Sequence, residues 1–120
     1  MSDAKTYQGS CHCGRVKYEV SLDLSKPVLA CNCSMCGRSG TLLTFVGADS
    51  FKLLSGEDSL GDYQFNKNII HHLFCKNCGI KAFARGKRAT GEATVAVNAR
   101  CLEGVDVGAL TIKQVDGKSA

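Results

Sequence analysis

From Val16 to Leu22 the chain alternates, with Val16, Tyr18, Val20 and Leu22 apolar and Arg15, Lys17, Glu19 and Ser21 polar. Side chains of a strand point to opposite faces in turn, so this period of two predicts a half-buried β-strand. Asp23 to Pro27 reads as the turn that ends it. Val28-Leu29-Ala30 is a short apolar approach to a cysteine-rich stretch, and Thr41 to Val46 is a run of strand formers stopped at Gly47 to Ser50. Phe51 to Leu54 reads as a short strand or turn broken by Ser55 and Gly56. Leu60, Tyr63 and Phe65 alternate more weakly before the polar Asn66-Lys67-Asn68.

Ile69 to Phe74 predicts a strand that runs into Cys75-Lys76-Asn77-Cys78-Gly79, and Ile80 to Ala84 leaves that turn as another strand. Together they describe a hairpin closed by a zinc knuckle, with Gly79 where the turn asks for a residue without a Cβ. Arg85 to Glu92 reads as a polar loop, Thr94 to Val97 as a strand, and Leu110 to Val115 as a last short strand. No apolar i, i+3, i+4, i+7 spacing persists, and 13 glycines are spread through the chain, so helix should be minor and the fold mainly β.

Composition narrows the class. A chain of 120 residues with 44% hydrophobic and 22% charged residues fits one soluble domain spanning 1–120. At this size roughly two-thirds of the unfolded surface can be buried, a margin that metal staples would widen. No apolar stretch approaches the about 18 residues that span a bilayer, which excludes a membrane helix. The opening residues Met1 to Gln8 carry no signal-like apolar run, so the expected location is cytoplasmic. The net charge of +4 is mild, and its densest cluster, Arg85 to Arg88, reads as a solvated loop, which argues against a nucleic-acid partner.

The eight cysteines change the picture. Cytosolic thiols stay reduced, and pairs spaced Cys-x-Cys or Cys-x-x-Cys suit chelation far better than cross-links between distant segments. Seven of them fall into three groups: Cys11 with Cys13; Cys31, Cys33 and Cys36; and Cys75 with Cys78. Ring closure between neighbours costs little entropy, so each group should stay on one metal, with zinc the default. Four-plus-three follows: the two pairs form a closed four-thiolate site, and the triplet holds a second zinc with an open position. A competing partition joins Cys33 and Cys36 to Cys75 and Cys78 as a two-knuckle site and leaves Cys11, Cys13 and Cys31. Cys101 reads as a small buried hydrophobe. His12 should point away from the metal of its flanking cysteines, and one of His71 and His72 should face solvent. Gly37 and Gly40 bracket Arg38-Ser39 as a tight loop around the triplet.

The motifs Gly9 to Gly14, Cys31 to Cys36, Phe74 to Gly79 and Val97 to Gly104, in this order and spacing, resemble the glutathione-dependent formaldehyde-activating enzyme family, which includes centromere protein V. The resemblance implies a β-tent fold of antiparallel sheets and hairpins. It also implies a structural zinc on Cys11, Cys13, Cys75 and Cys78 and a catalytic zinc on Cys31, Cys33 and Cys36. The chain resembles the compact members of the family, and Gly37 stands where many relatives are basic.

Three thiolates leave Zn²⁺ with a net charge near −1, better suited to holding a further thiol as thiolate than to splitting water. Taken with that preference for sulfur, the family resemblance implies a carbon-sulfur lyase acting on a thiol adduct such as S-hydroxymethylglutathione, with glutathione the small-molecule partner. Arg38 is the candidate for a substrate carboxylate. The rival readings are a thiol carrier without catalysis and a zinc-stapled binding module, the latter with Lys81, Arg85, Lys87 and Arg88 forming one basic patch.

Overall fold

The alternating run forms the predicted strand in the computed structural model, which describes residues 4–32, 34–64, 70–87 and 90–116. Strand β2 (Lys17–Leu22) buries Tyr18, Val20 and Leu22 and leaves Lys17 and Ser21 exposed. It is the middle of a three-stranded antiparallel sheet, between β1 (Lys5–Ser10) and β5 (Phe51–Ser55). The turn after β2 is held by Asp23, whose carboxylate accepts from the Ser25 backbone N–H and hydroxyl at 2.9 and 2.6 Å. Those bonds hold the Asp23 carboxyl below its ordinary value.

The second sheet has seven strands in the order β10-β3-β4-β9-β8-β7-β6. They are β3 (Val28–Cys31), β4 (Leu43–Gly47), β6 (Leu60–Tyr63), β7 (His71–Cys75), β8 (Phe83–Lys87), β9 (Ala93–Asn98) and β10 (Ile112–Val115). All its pairings are antiparallel except β10 with β3, which is parallel, so the sheet is mixed. The fold is mainly β, as expected.

The sheets close on each other through Tyr18 and Phe51 from the small one and Leu73, Phe83, Val95 and Val97 from the large one. The rings of Tyr18, Phe51 and Phe83 form a triangle with centroids 4.6 to 5.9 Å apart, a spacing at which aromatic pairs contribute beyond their buried area. Alternation sends Ala84 and Ala96 to the opposite face of the large sheet, where they form a second cluster with Leu43, Cys36 and Cys31. That second face carries α1 (Ser34–Ser39), whose alanine floor leaves room for it.

Several expectations are corrected. The stretch after the triplet is a helix, not a loop, and only Gly40 of its two glycines takes a positive φ. The strand leaving the knuckle starts at Phe83, not Ile80, and runs through Arg85 to Lys87, the residues expected to open a loop. Arg85 stays in the sheet because its guanidinium lies 5.4 and 5.3 Å from the ring centres of Phe51 and Phe83. The strand expected from Ile69 begins at His71; Ile69, Phe65 and Asn66 to Asn68 lie outside the described residues. β1 was not anticipated at all.

Candidate metal centre and adjoining groove

Two turns of similar construction meet at one end of the sheets. Past β1, the Cys11 carbonyl accepts from the Gly14 N–H at 3.3 Å, and the Cys11 N–H donates to Val16 at 3.0 Å. At the end of β7, the Cys75 carbonyl accepts from Gly79 at 2.7 Å, and the Cys75 N–H donates to Ile80 at 3.0 Å. Gly14 and Gly79 have φ of 83° and 81°, the left-handed conformation that a side chain would resist. Each turn therefore brings its two sulfurs toward the other pair.

The four sulfurs of Cys11, Cys13, Cys75 and Cys78 lie within 4.8 Å of one another, with Cys13 3.6 Å from both Cys11 and Cys75. A tetrahedral zinc at about 2.3 Å from each sulfur needs sulfurs about 3.8 Å apart, so these residues fit the ion. The Cys13 thiol is lowered to about 6, chiefly by a hydrogen bond from the Asn77 side chain and then by the Arg15 backbone N–H. A thiol already inclined to ionise is what a metal requires.

The triplet is described in part. Cys31 ends β3 and Cys36 lies buried in α1, and the two share the cluster on the alanine floor; Cys33 lies outside the described residues. Arg38 is exposed in the last turn of α1.

Between the two cysteine regions lies a groove of about 650 Å³. Ser39 and Thr41 wall it on the α1 side, His12 and Lys81 on the knuckle side, and Arg100 and Cys101 at its end. The buried Asn98 ties these walls together. Its carboxamide oxygen accepts from Leu42 N–H at 3.4 Å and Arg100 N–H at 3.1 Å, and its nitrogen donates to the Lys81 carbonyl at 3.0 Å. Arg100 in turn donates through Nε to the Gly40 carbonyl at 3.1 Å.

Cys101 is half-buried on the core, outside the group of four sulfurs. Burial, reinforced by the neighbouring Cys11 and Cys78 sulfurs, pushes its thiol up to about 11, so it stays protonated at neutral pH. His12 is exposed and likewise outside the group of four. His71 is the solvent-facing member of its pair and meets Asp62 at 2.7 Å. His72 is buried, and Lys81 Nζ donates to its Nδ1 at 2.8 Å. An ammonium has no lone pair, so His72 must accept and is neutral with its proton on Nε2. Burial, then the Lys81 charge, lower its pKa to about 4.

The basic residues of the rival binding-module reading are described in part. Lys81 turns to His72 on one face while Arg85 covers the aromatic core, and Arg88 lies outside the described residues. Spacing alone did not single out Asn98, Arg100 or His72. The first two stand within the Val97 to Gly104 motif, which was the available signal.

A mainly β protein with a four-sulfur cluster able to hold a metal beside a polar groove is a candidate metal-binding scaffold. Residues 6–110 match the family described as glutathione-dependent formaldehyde-activating enzyme, and the chain belongs to that family. It is also similar to the crystal structure of a Rhodobacter sphaeroides protein solved as a structural genomics target. That likeness has a TM-score of 0.76 and 31% identity over 88% of this chain and 99% of the other. No described helix is long and apolar enough to cross a membrane.

Proposed function

We propose that this chain binds glutathione in the groove and makes or breaks the carbon-sulfur bond of S-hydroxymethylglutathione at a centre formed by Cys31, Cys33 and Cys36. The observation that carries the proposal is the groove itself. It runs from the four-sulfur cluster to the end of α1 and offers Lys81 and Arg100, two cations suited to the carboxylates of a tripeptide. Arg38, at the exposed end of α1, is a third candidate for that role. Family membership supplies the thiol and the aldehyde as the chemical theme.

Cys11, Cys13, Cys75 and Cys78 hold the structural zinc in this reading, and a second zinc on the triplet would supply a positive charge that favours a substrate thiol as thiolate. In the forward direction the glutathione sulfur gives an electron pair to the formaldehyde carbon. The carbonyl π pair moves to oxygen, that oxygen takes a proton from water, and the thiol proton has left to solvent. Cleavage is the reverse. The part of this chain is to orient the tripeptide by its charged ends so that sulfur and carbon meet repeatedly at one place.

The experiment is a glutathione titration of zinc-loaded protein followed by exchange spectroscopy of the formaldehyde-glutathione equilibrium with and without protein. Binding that disappears in Cys33→Ser, together with faster exchange, is the expected result. Binding without faster exchange leaves a thiol carrier, and no binding leaves a zinc-stapled interaction module.

A further inference from the structure

Beside the polar groove lies a second cavity of about 440 Å³, walled by Met35, Tyr63, His72 and Phe74. Ser39, Gly79 and Lys81 line both spaces, so the two are compartments of one site separated by those residues. We infer that the second compartment takes an apolar substituent on the sulfur-bound carbon of a glutathione adduct, so that the chain acts on hemithioacetals of aldehydes larger than formaldehyde. This rests on the glutathione reading given above.

The chemistry of the two compartments differs in the way such a substrate requires. The groove carries hydroxyls, a carboxamide and cations, which suit a zwitterionic peptide. Beyond Lys81 the lining turns to a thioether, a phenol ring and a phenyl ring, which suit hydrocarbon. Lys81 marks the boundary, its ammonium held on His72 Nδ1 at 2.8 Å.

The apolar wall is built rather than incidental. Phe74 pairs across the sheet with Gly61, and a Cβ at Gly61 would come 2.3 Å from the Phe74 ring. The ring therefore lies on bare backbone in a fixed position, as Tyr63, two residues on, continues the wall. Met35 contributes to the wall from α1, the helix that also carries Cys36. A hydroxymethyl group uses none of this surface. In cleavage of the larger adduct the C–S bond breaks with its pair going to sulfur, the carbinol O–H gives its proton to solvent, and the oxygen lone pair closes the aldehyde C=O.

The test compares S-methylglutathione with S-hexylglutathione by calorimetry on the zinc-loaded full chain. The hexyl compound should bind at least about tenfold tighter, since each buried methylene contributes to transfer from water. In the double variant Tyr63→Ala, Met35→Ala the ratio should fall to within about twofold, while Tyr63→Phe should keep it, because the ring rather than the hydroxyl forms the wall. Equal affinities in the wild type, or a ratio that survives the double variant, would overturn the inference. Failure of both thioethers while glutathione binds overturns this inference alone; failure of glutathione as well overturns the reading on which it rests.

Discussion

Tyr18 shows at the residue scale how closely the two sheets are fitted. Its ring is fully buried, packs on Phe51 and Phe83, and lies over the backbone of Gly9, its partner across β1 and β2. A Cβ at Gly9 would stand 2.2 Å from Tyr18 Cζ. The hydroxyl at the end of that ring is buried with no hydrogen-bond partner among the described residues, and the same burial raises the phenol pKa. A buried unsatisfied hydroxyl costs roughly 1–3 kcal/mol, whereas the ring supplies packing that phenylalanine would keep. Tyr18→Phe should therefore raise stability by about 1 kcal/mol, read as a higher urea midpoint at an unchanged slope. Gly9→Ala should lower it by about 2 kcal/mol or more, because the ring has no free space to move into. A Tyr18→Phe variant less stable than the wild type would show that the hydroxyl is satisfied after all.

Among the elements, strands were legible wherever alternation was clean. Val16 to Leu22, Thr41 to Val46 and Thr94 to Val97 contain or overlap β2, β4 and β9. β1 was not legible because only Tyr7 and Gly9 turn inward from it, and a buried glycine leaves no apolar mark. The helix α1 has six residues, too short for a 3.6-residue period to show, and what holds it is Cys36 packed on Leu43, Ala84 and Ala96. The four-sulfur cluster was legible from local spacing, because each pair already sits in one turn. The groove was not, since Asn98 reaches Leu42 across 56 residues of sequence and nothing local announces that bond. Asn98→Ala removes three hydrogen bonds and leaves two backbone N–H groups and a carbonyl to find other partners. The expected cost is about 2–4 kcal/mol, with glutathione affinity falling as the walls loosen and zinc content unchanged. Unaltered affinity at reduced stability would mean that Asn98 serves the fold alone.

For the whole molecule, the question is which cysteines hold it together. Cys11 follows a strand of the small sheet and Cys75 ends a strand of the large one, so a metal on the four sulfurs ties the sheets at one end. The tie spans 62 residues between Cys13 and Cys75. By the chain-entropy relation a cross-link of that length stabilises the fold by about 4 kcal/mol, a large share of the about 5–15 kcal/mol typical of a domain. Cys31 and Cys36 sit five residues apart, already packed on one face of one sheet, and the same relation gives only about 2 kcal/mol for so short a loop. Under the proposal of a second zinc on the triplet, the two sites have unequal roles. Cys78→Ser should lose zinc and cooperative unfolding together, or leave the chain insoluble, whereas Cys33→Ser should lose one zinc of two and still unfold cooperatively with a modestly lower midpoint. Elemental analysis of each variant alongside thermal unfolding reads both outcomes. Equal damage from the two substitutions would show that the triplet also spans the sheets, and the division into one structural and one open site would fall with it.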